Sequence, residues 1–432
     1  MFLPNYSCRI LRKLISICKA PYRLLVQVSN SCHKIEEIHT LLLLQQQYPE
    51  IARQVLPVDK HLKEALFSDG ALPPLPALNV LKRLRRSGID SQIEMLAKSI
   101  SLPYSQTTAL FQEILHNSRD NEVLVLQKYI RYLYRHGLDD TLLLQNITRF
   151  LTICPKRSVP RDILCIAVTC FLEANDHPQA LDALQRYAKL FSTKGLERFP
   201  LVAHFSHSYG ITNKFIRNAA YLVDAVEKSR KNGVLREYLD GKRIAVVGNG
   251  PFEIGKGKGR EIDSHDVVIR FNHSVVNSQS SADYGTQTTL WVRNAATAPQ
   301  FRHFPTARYL FLNEGLERYI LPTQYVNALA RDAAAMGRVL AAPSRHEYQA
   351  VCKPFDYTRF TSGFFCIAYL LYLGVPLRSE SLYGFAFKEE GLTSYTDIGP
   401  YFSESQQVAK NAYAVHSLSR EREAFHTLFP DG

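Results

Sequence analysis

The 432-residue chain has no stretch of about 18 consecutive apolar residues, the length that a membrane-spanning helix requires. The run FFCIAYLLYLG is too short to span and predicts a buried helix instead. None of the eight cysteines forms a C-x-x-C pair, which argues against a zinc site. Their scatter is typical of small buried side chains in a protein from a reducing compartment.

The sequence also has no long block of Lys or Arg and no Asp-x-Asp pair. The first absence argues against nucleic-acid binding, and the second leaves no metal site predicted. The formal net charge is nevertheless +12, from 52 Lys and Arg against 40 Asp and Glu. Such an excess favours anionic partners such as nucleotides, acidic sugars or a membrane surface.

Residues 9–28 form a basic, amphipathic segment without acidic residues. A helix that lies on an anionic membrane surface and a solvated helix docked on its neighbour both fit this pattern. The polar residues inside the segment argue against a cleavable signal peptide.

The helical pattern changes near residue 235. Residues 1–235 contain segments with apolar residues three and four apart, which predicts an α-helical N-terminal domain. One of these segments resembles a helix of a tetratricopeptide pair, but no 34-residue period supports a repeat array. Across 236–432, short apolar runs alternate with predicted helices at 322–337, 362–374, 404–414 and 418–428. The runs are RIAVVG, DVVIRF, TLWVR, RYLFL, RVLAAP and SLYGF. This alternation predicts an α/β domain with a Rossmann-like, mostly parallel sheet, whose ligand binds beyond the carboxyl ends of the strands.

The first predicted strand runs into a glycine-rich loop, GNGPFEIGKGKGREIDSHD. A dinucleotide fingerprint fails because its third glycine is replaced by Glu253. A P-loop nearly matches at Gly250, Gly255 and Lys256, but Gly257 replaces the hydroxyl residue that binds magnesium. A P-loop phosphotransferase therefore stays open as an alternative, as does a helical scaffold with a non-catalytic nucleotide-binding domain.

Three motifs in order resemble those of the sialyltransferase family. VVGNGPFEIGKGKGREIDSHDVVIRFN with DYGTQTTLW resembles the large sialylmotif, and TSGFFCIAYLLYLGVPLRSESLYGF the small one. HSLSRE has the His-x4-Glu form of the very small motif. The resemblance covers about 240 to 425. It implies a variant of the GT-A glycosyltransferase fold and transfer of an acidic 2-keto sugar, sialic acid or Kdo, from its CMP conjugate to a glycan acceptor.

The resemblance also implies the site residues. The nucleotide is expected to contact Gly248, Asn249, Gly250, Asn272, Thr361, Ser362, Gly363 and Gly384. An amide such as that of Asn249 offers both a donor and an acceptor. His416 is expected to be the general base, with Glu421 orienting the local structure. Direct attack by the acceptor would invert the anomeric centre, and no metal or other cofactor is expected.

The sequence departs from the animal members of the family at two places. Ile244 and Gly374 stand where those members carry a disulfide, which favours a bacterial-type enzyme of surface-polysaccharide or lipopolysaccharide synthesis. The expected location is cytoplasmic, with peripheral contact to the inner membrane. Pro400 or Gly399 replaces the histidine of another family motif, so Tyr401 is expected to contact the leaving phosphate through its hydroxyl.

Overall fold

The computed structural model describes residues 102–117, 121–272, 274, 280–293, 307, 309–312, 316–317, 320–335, 339–392 and 416–430. All of them belong to one compact unit, Ser87–Gly432. The basic segment 9–28, the helix expected over 404–414 and Tyr401 lie outside the described residues. The boundary predicted at residue 235 between a helical and an α/β domain stays a prediction.

Residues 102–240, so far as the structure describes them, are mainly helical. The helices described there are α1 Tyr104–Asn117, α2 Glu122–His136, α3 Asp140–Ile153, α4 Arg161–Glu173, α5 His177–Phe191, α6 Pro200–Ser208, α7 Lys214–Lys231 and α8 Val234–Leu239. Side-chain caps begin several of them: Asp139, Asp176 and Asn213 each accept hydrogen bonds from the first-turn backbone. Helices α2, α3, α5 and α7 bury one apolar face each, whereas α4 is buried on all sides from Ile163 to Phe171.

Six parallel strands form a single sheet in the order β5-β4-β3-β2-β1-β6. The strands are β1 Ile244–Val247, β2 Val267–Phe271, β3 Leu290–Arg293, β4 Tyr309–Leu312, β5 Val339–Ala341 and β6 Leu382–Tyr383. Each lies inside one of the six apolar runs, so the predicted α/β class and parallel sheet are confirmed. Almost every strand residue is buried, which is typical of a parallel sheet covered on both faces.

The α-helices that the structure describes between or after the strands are α9 Gly259–Asp263, α10 Ser281–Tyr284, α11 Thr323–Ala335, α12 Arg345–Cys352, α13 Ser362–Tyr372 and α14 Leu418–Leu428. Helix α13 contains the apolar run FFCIAYLLY and is buried along most of its length, as expected. No described helix is long and apolar enough to cross a membrane.

The strand order reverses next to β1. Strands β2 to β5 follow on one side of β1, whereas β6 pairs with its other side. In an open parallel sheet the crevice at such a reversal, beyond the carboxyl ends of the strands, is where ligands bind. The loops after β1 and β6 therefore form the first wall of the candidate site.

Candidate active site

The loops after β1 and β6 lie against each other. The backbone N–H of Gly248 donates to Tyr383 O at 2.8 Å, and that of Gly250 donates to Gly384 O at 3.0 Å. A Cβ on Gly248 would stand 2.5 Å from Gly384 O and 2.9 Å from the Phe385 ring. Gly384 itself has a φ of +69°, a conformation that L side chains rarely adopt. The contact between the two loops thus requires glycine at both positions.

Replacing Gly248 by alanine should lower the stability of the protein. The new methyl group must push the two loops apart, which we expect to cost roughly 1–3 kcal/mol. Gly257→Asn is a suitable control, because a Cβ there meets nothing within 4 Å and asparagine tolerates its positive φ. Thermal unfolding of both variants checks this, and equal melting temperatures would contradict it.

Glu253, at the place where a dinucleotide loop has its third glycine, supports the β6 loop. Its buried carboxylate accepts a hydrogen bond from the Gly384 N–H at 3.1 Å. The hydroxyl of Tyr284 donates to Gly250 O and accepts from the Glu253 N–H at 3.0 Å. The departure from the dinucleotide pattern therefore has a structural role, since the carboxylate joins the two loops.

The conspicuous Gly-Lys-Gly-Lys-Gly stretch is held by neighbouring carboxylates. Asp283 accepts a hydrogen bond from the Gly257 N–H at 2.8 Å, and its backbone hydrogen bonds to Gly255 and Gly257 lower its pKa. The Lys258 ammonium lies 2.6 Å from the carboxylate of Glu261. This loop is exposed, and its Gly257 N–H and Lys258 ammonium already have partners in the protein. These contacts do not indicate that the loop holds a phosphate.

The acidic stretch EIDSHD holds the segment DYGTQ in place. The carboxylate of Asp263 accepts from the N–H groups of Thr286 and Gln287 at 2.8 and 2.9 Å. On the other side, the buried Arg270 donates to Gln287 O at 2.8 Å and to Tyr284 O. Burial lowers the pKa of Arg270 to about 10, which leaves the guanidinium charged at neutral pH. Asp263 and Arg270 thus position the wall of the crevice, and the carboxylate of Asp263 already has hydrogen-bond partners.

Asn249 follows β1 and has an acceptor without a protein partner. Its Nδ2 donates to Phe271 O at 3.2 Å, whereas its buried Oδ1 has no hydrogen-bond partner among the described residues. A buried unpaired carbonyl oxygen is costly, so a donor from a ligand is a natural partner. The nucleotide hydroxyls and the cytosine amino group are such donors, whereas an ionised phosphate is not.

Asn272 ends β2 in the left-handed conformation, with a φ of +47°. Its backbone N–H donates to Val292 O at 2.8 Å, and its carbonyl accepts from the Trp291 indole at 2.9 Å. These two bonds fix the turn, and asparagine is among the few residues besides glycine that adopt such a backbone readily. The side-chain Nδ2 reaches Ser362 Oγ at 3.4 Å, which links the large motif to the small one.

The start of helix α13 is the meeting point of the motifs. Thr361 caps the helix by accepting from the Phe364 N–H at 3.2 Å. A Cβ on Gly363 would stand 2.6 Å from the Phe385 ring, which brings the β6 loop to the same place. A helix N-terminus presents N–H groups and a positive dipole end, both suited to a phosphate.

Glu421 is fully buried and lies against Thr361. Its Oε2 accepts from the Thr361 hydroxyl at 2.9 Å, and its Oε1 accepts from the Thr361 N–H. One carboxylate therefore fixes both the backbone and the side chain of the residue that caps α13. Its position matches the orienting role that the resemblance implies.

His416 is largely buried and is held by a backbone carbonyl. Its Nδ1 lies 2.8 Å from Arg359 O, and because a carbonyl only accepts, Nδ1 carries the proton. Burial lowers the pKa of His416, the hydrogen bond to Arg359 O opposes this, and the positive charge of Arg359 lowers it further. The ring is therefore neutral at pH 7, with a lone pair on Nε2 that accepts a proton.

The structure brings together all the expected site residues that it describes. A continuous series of contacts runs from Asn249 past Phe271 to Asn272, then to Ser362 and Thr361. Glu421 and His416 join it at Thr361 and Arg359. The sequence analysis did not single out Tyr284 or Arg359. Tyr284 could have been found, because it belongs to the quoted motif stretch DYGTQTTLW. Arg359 could not, because it acts through its backbone carbonyl and so leaves no side-chain signal. Among the described residues no group of three or more His, Cys, Asp or Glu could hold a metal.

Comparison with known proteins gives one family match. Residues 194–332 match the model of glycosyltransferase family 29 (sialyltransferase). Among solved structures, the chain is similar to a mammalian sialyltransferase, with 19% sequence identity and a TM-score of 0.30. The similarity covers 43% of this chain and 65% of that chain. A second is a mammalian sialyltransferase in complex with Gal-beta-1-3GalNAc-ortho-nitrophenol, with 17% identity, a TM-score of 0.34, and coverage of 54% and 81%. No significant match was found among curated proteins.

Proposed function

We propose that the chain is a glycosyltransferase of the sialyltransferase family, and that it moves an acidic 2-keto sugar from a CMP conjugate to a hydroxyl of a glycan; the match of residues 194–332 to the model of glycosyltransferase family 29 supports this. The family match spans Asn249 and Asn272 but ends before Thr361 and His416. The proposal therefore depends on the hydrogen bonds that join the later residues to the earlier ones.

One observation carries the proposal: His416 is neutral and oriented with its proton on Nδ1. Nε2 then accepts the proton of the acceptor hydroxyl as that oxygen attacks the anomeric carbon. The new C–O bond forms while the bond to the phosphate oxygen breaks, and CMP departs with the electron pair. Attack opposite the leaving group inverts the anomeric centre.

Two features suit the departing nucleotide. The N-terminus of α13, at Ser362 and Gly363, provides N–H groups for the negative charge that develops on the phosphate. The unpaired Oδ1 of Asn249 suits a ribose hydroxyl or the cytosine amino group. The family resemblance implies that Asn249 and Asn272 together contact the phosphate and the ribose of the nucleotide. We now propose that Asn249 contacts the nucleoside part.

Several expectations from the sequence stay predictions. Sialic acid and Kdo are both acidic 2-keto sugars that fit this chemistry. A role in surface-polysaccharide or lipopolysaccharide synthesis, a cytoplasmic location, membrane contact through residues 9–28 and the contact of Tyr401 with phosphate are likewise untested.

A thermal-shift measurement tests the nucleotide. CMP without magnesium should stabilise the folded protein, by about 2.7 kcal/mol at a hundredfold excess over its Kd, whereas AMP should do little. Stabilisation by ATP with magnesium but not by CMP would instead favour the phosphotransferase alternative. Incubation with CMP-Neu5Ac and with CMP-Kdo then identifies the donor, because slow hydrolysis releases CMP even without an acceptor.

A further inference from the structure

A basic cavity of about 730 Å³ lies among the helices that precede the sheet. Five cationic side chains line it, from α2, α4 and the turn before α6: Lys128, Arg131, Arg135, Arg161 and Arg198. The only carboxylate among its described lining residues is Asp162. Aromatic side chains, including Tyr132 and Phe191, form the rest of its wall.

Among the described residues, few carboxylates neutralise this positive charge. Asp162 is occupied by Arg131, whose guanidinium reaches the carboxylate through two nitrogens at 2.5 and 3.0 Å. The other four cations form no ion pair with a described carboxylate, and Arg135, Arg161 and Arg198 are exposed. Burial holds the pKa of His136, another wall residue, well below its usual range, so that ring adds no charge at neutral pH.

The wall of the cavity lies near Arg359, the residue whose carbonyl holds His416. Tyr132 and His136 are in ring contact on α2, and the charge of Arg359 affects the pKa of both. The carbonyl of Arg359 is the group that holds His416. Helix α1, the neighbour of α2, is bonded to the same segment, since the Tyr104 N–H donates to Asp356 O at 2.8 Å.

We propose that this cavity binds the acceptor, and that the acceptor is an anionic glycan whose sugars carry carboxylate or phosphate groups. Arginine forks pair with such groups, and the partly exposed ring of Phe191 gives the wall an apolar surface against which a sugar ring can pack. The assignment rests on the proposed function, because it makes this cavity the acceptor side of the same site.

Binding of a labelled acidic oligosaccharide tests the assignment. The probe is fluorescein-labelled disialyllactose, with labelled lactose as its uncharged counterpart, measured by fluorescence anisotropy. The wild-type protein should bind disialyllactose at least tenfold more tightly than lactose. The double variant Arg135→Glu/Arg198→Glu should lose that preference, since it reverses two exposed charges of the cavity wall.

A matched double variant controls for net charge. Arg217→Glu/Arg236→Glu makes the same change at two exposed arginines that do not line the cavity, and it should keep wild-type affinity. Equal affinity of wild type and the cavity variant for disialyllactose overturns the proposal. So does an equal loss in both double variants, which indicates attraction by overall charge alone, or a wild-type protein that binds both probes equally.

CMP binding separates this proposal from the one on which it rests. Both double variants should keep the stabilisation by CMP and the slow hydrolysis of the donor, because neither changes the crevice at β1 and β6. A wild-type protein that is not stabilised by CMP contradicts the proposed function. A cavity variant that keeps CMP binding and transfers sugar to disialyllactose with an unchanged KM contradicts only the acceptor assignment.

Discussion

Replacement of His416 by alanine should lower the rate of sugar transfer about a thousandfold while the protein stays folded and binds CMP. General base catalysis typically contributes between about a hundredfold and ten thousandfold, and the variant keeps the rest of the crevice. The measurement is transfer from the preferred CMP-sugar, with CMP affinity followed by thermal shift. Transfer at the wild-type rate would show that another group takes the proton.

The matched control is His426→Ala, at an exposed histidine on α14 in the same part of the chain. It should transfer sugar at the wild-type rate. Loss of activity in both variants, with lowered melting temperatures, would point to general destabilisation of the C-terminal segment rather than to loss of the base.

The pH dependence provides an independent check on His416. Burial lowers the pKa of His416 below the ordinary 6.5. As the pH rises, the ring therefore changes from charged to neutral below pH 6.5, and it is neutral at pH 7 and above. The value of kcat/KM should therefore rise with pH through an apparent pKa below 6.5 and then level off. In His416→Ala this rise should disappear from the residual rate.

Replacement of Glu421 by alanine should destabilise the protein by about 2–4 kcal/mol and weaken CMP binding. The carboxylate is fully buried and accepts from both the N–H and the hydroxyl of Thr361, so its removal leaves buried donors without partners. Helix α13 then loses the support of its cap at the point where the motifs meet. Chemical denaturation gives the free energy of unfolding, and thermal shift gives the CMP affinity.

Two further variants make the test of Glu421 specific. Glu421→Gln keeps an oxygen that accepts from Thr361 and should cost less than the alanine variant. Glu423→Ala, at an exposed glutamate two positions further along α14, should change stability by less than about 0.5 kcal/mol. If Glu421→Ala and Glu423→Ala were equally stable, the contact with Thr361 would have no energetic importance.

The sheet was predictable from the sequence because its strands are short apolar runs between turns. All six strands fall inside the predicted runs, and the helices at 323–335, 362–372 and 418–428 lie inside their predicted ranges. Parallel strands buried on both faces leave a strong local signal. The identity of the residues that surround the crevice followed from motifs that are local as well.

The contacts inside the site were not predictable, because they join residues distant in sequence. Thr361 and Glu421 are 60 positions apart, and Asn272 and Ser362 are 90 apart. The expected contact of Gly384 with the nucleotide stays a prediction, and the structure adds that Gly248 O and Gly250 O lie 3.0 and 3.2 Å from where a Cβ of Gly384 would be. Only the three-dimensional structure shows which surface each glycine faces.

The pairing of β1 with β6 has a consequence for synthesis of the chain. The Gly384 N–H and the Glu253 carboxylate, which join the two loops, are 131 positions apart in sequence. While the ribosome is still making the intervening residues, the β1 loop has no partner, and its closure waits until β6 has emerged. A chain that stops before β6 lacks one wall of the crevice. The crevice would therefore form late relative to strand β1, only after the loop that follows β6 has been made.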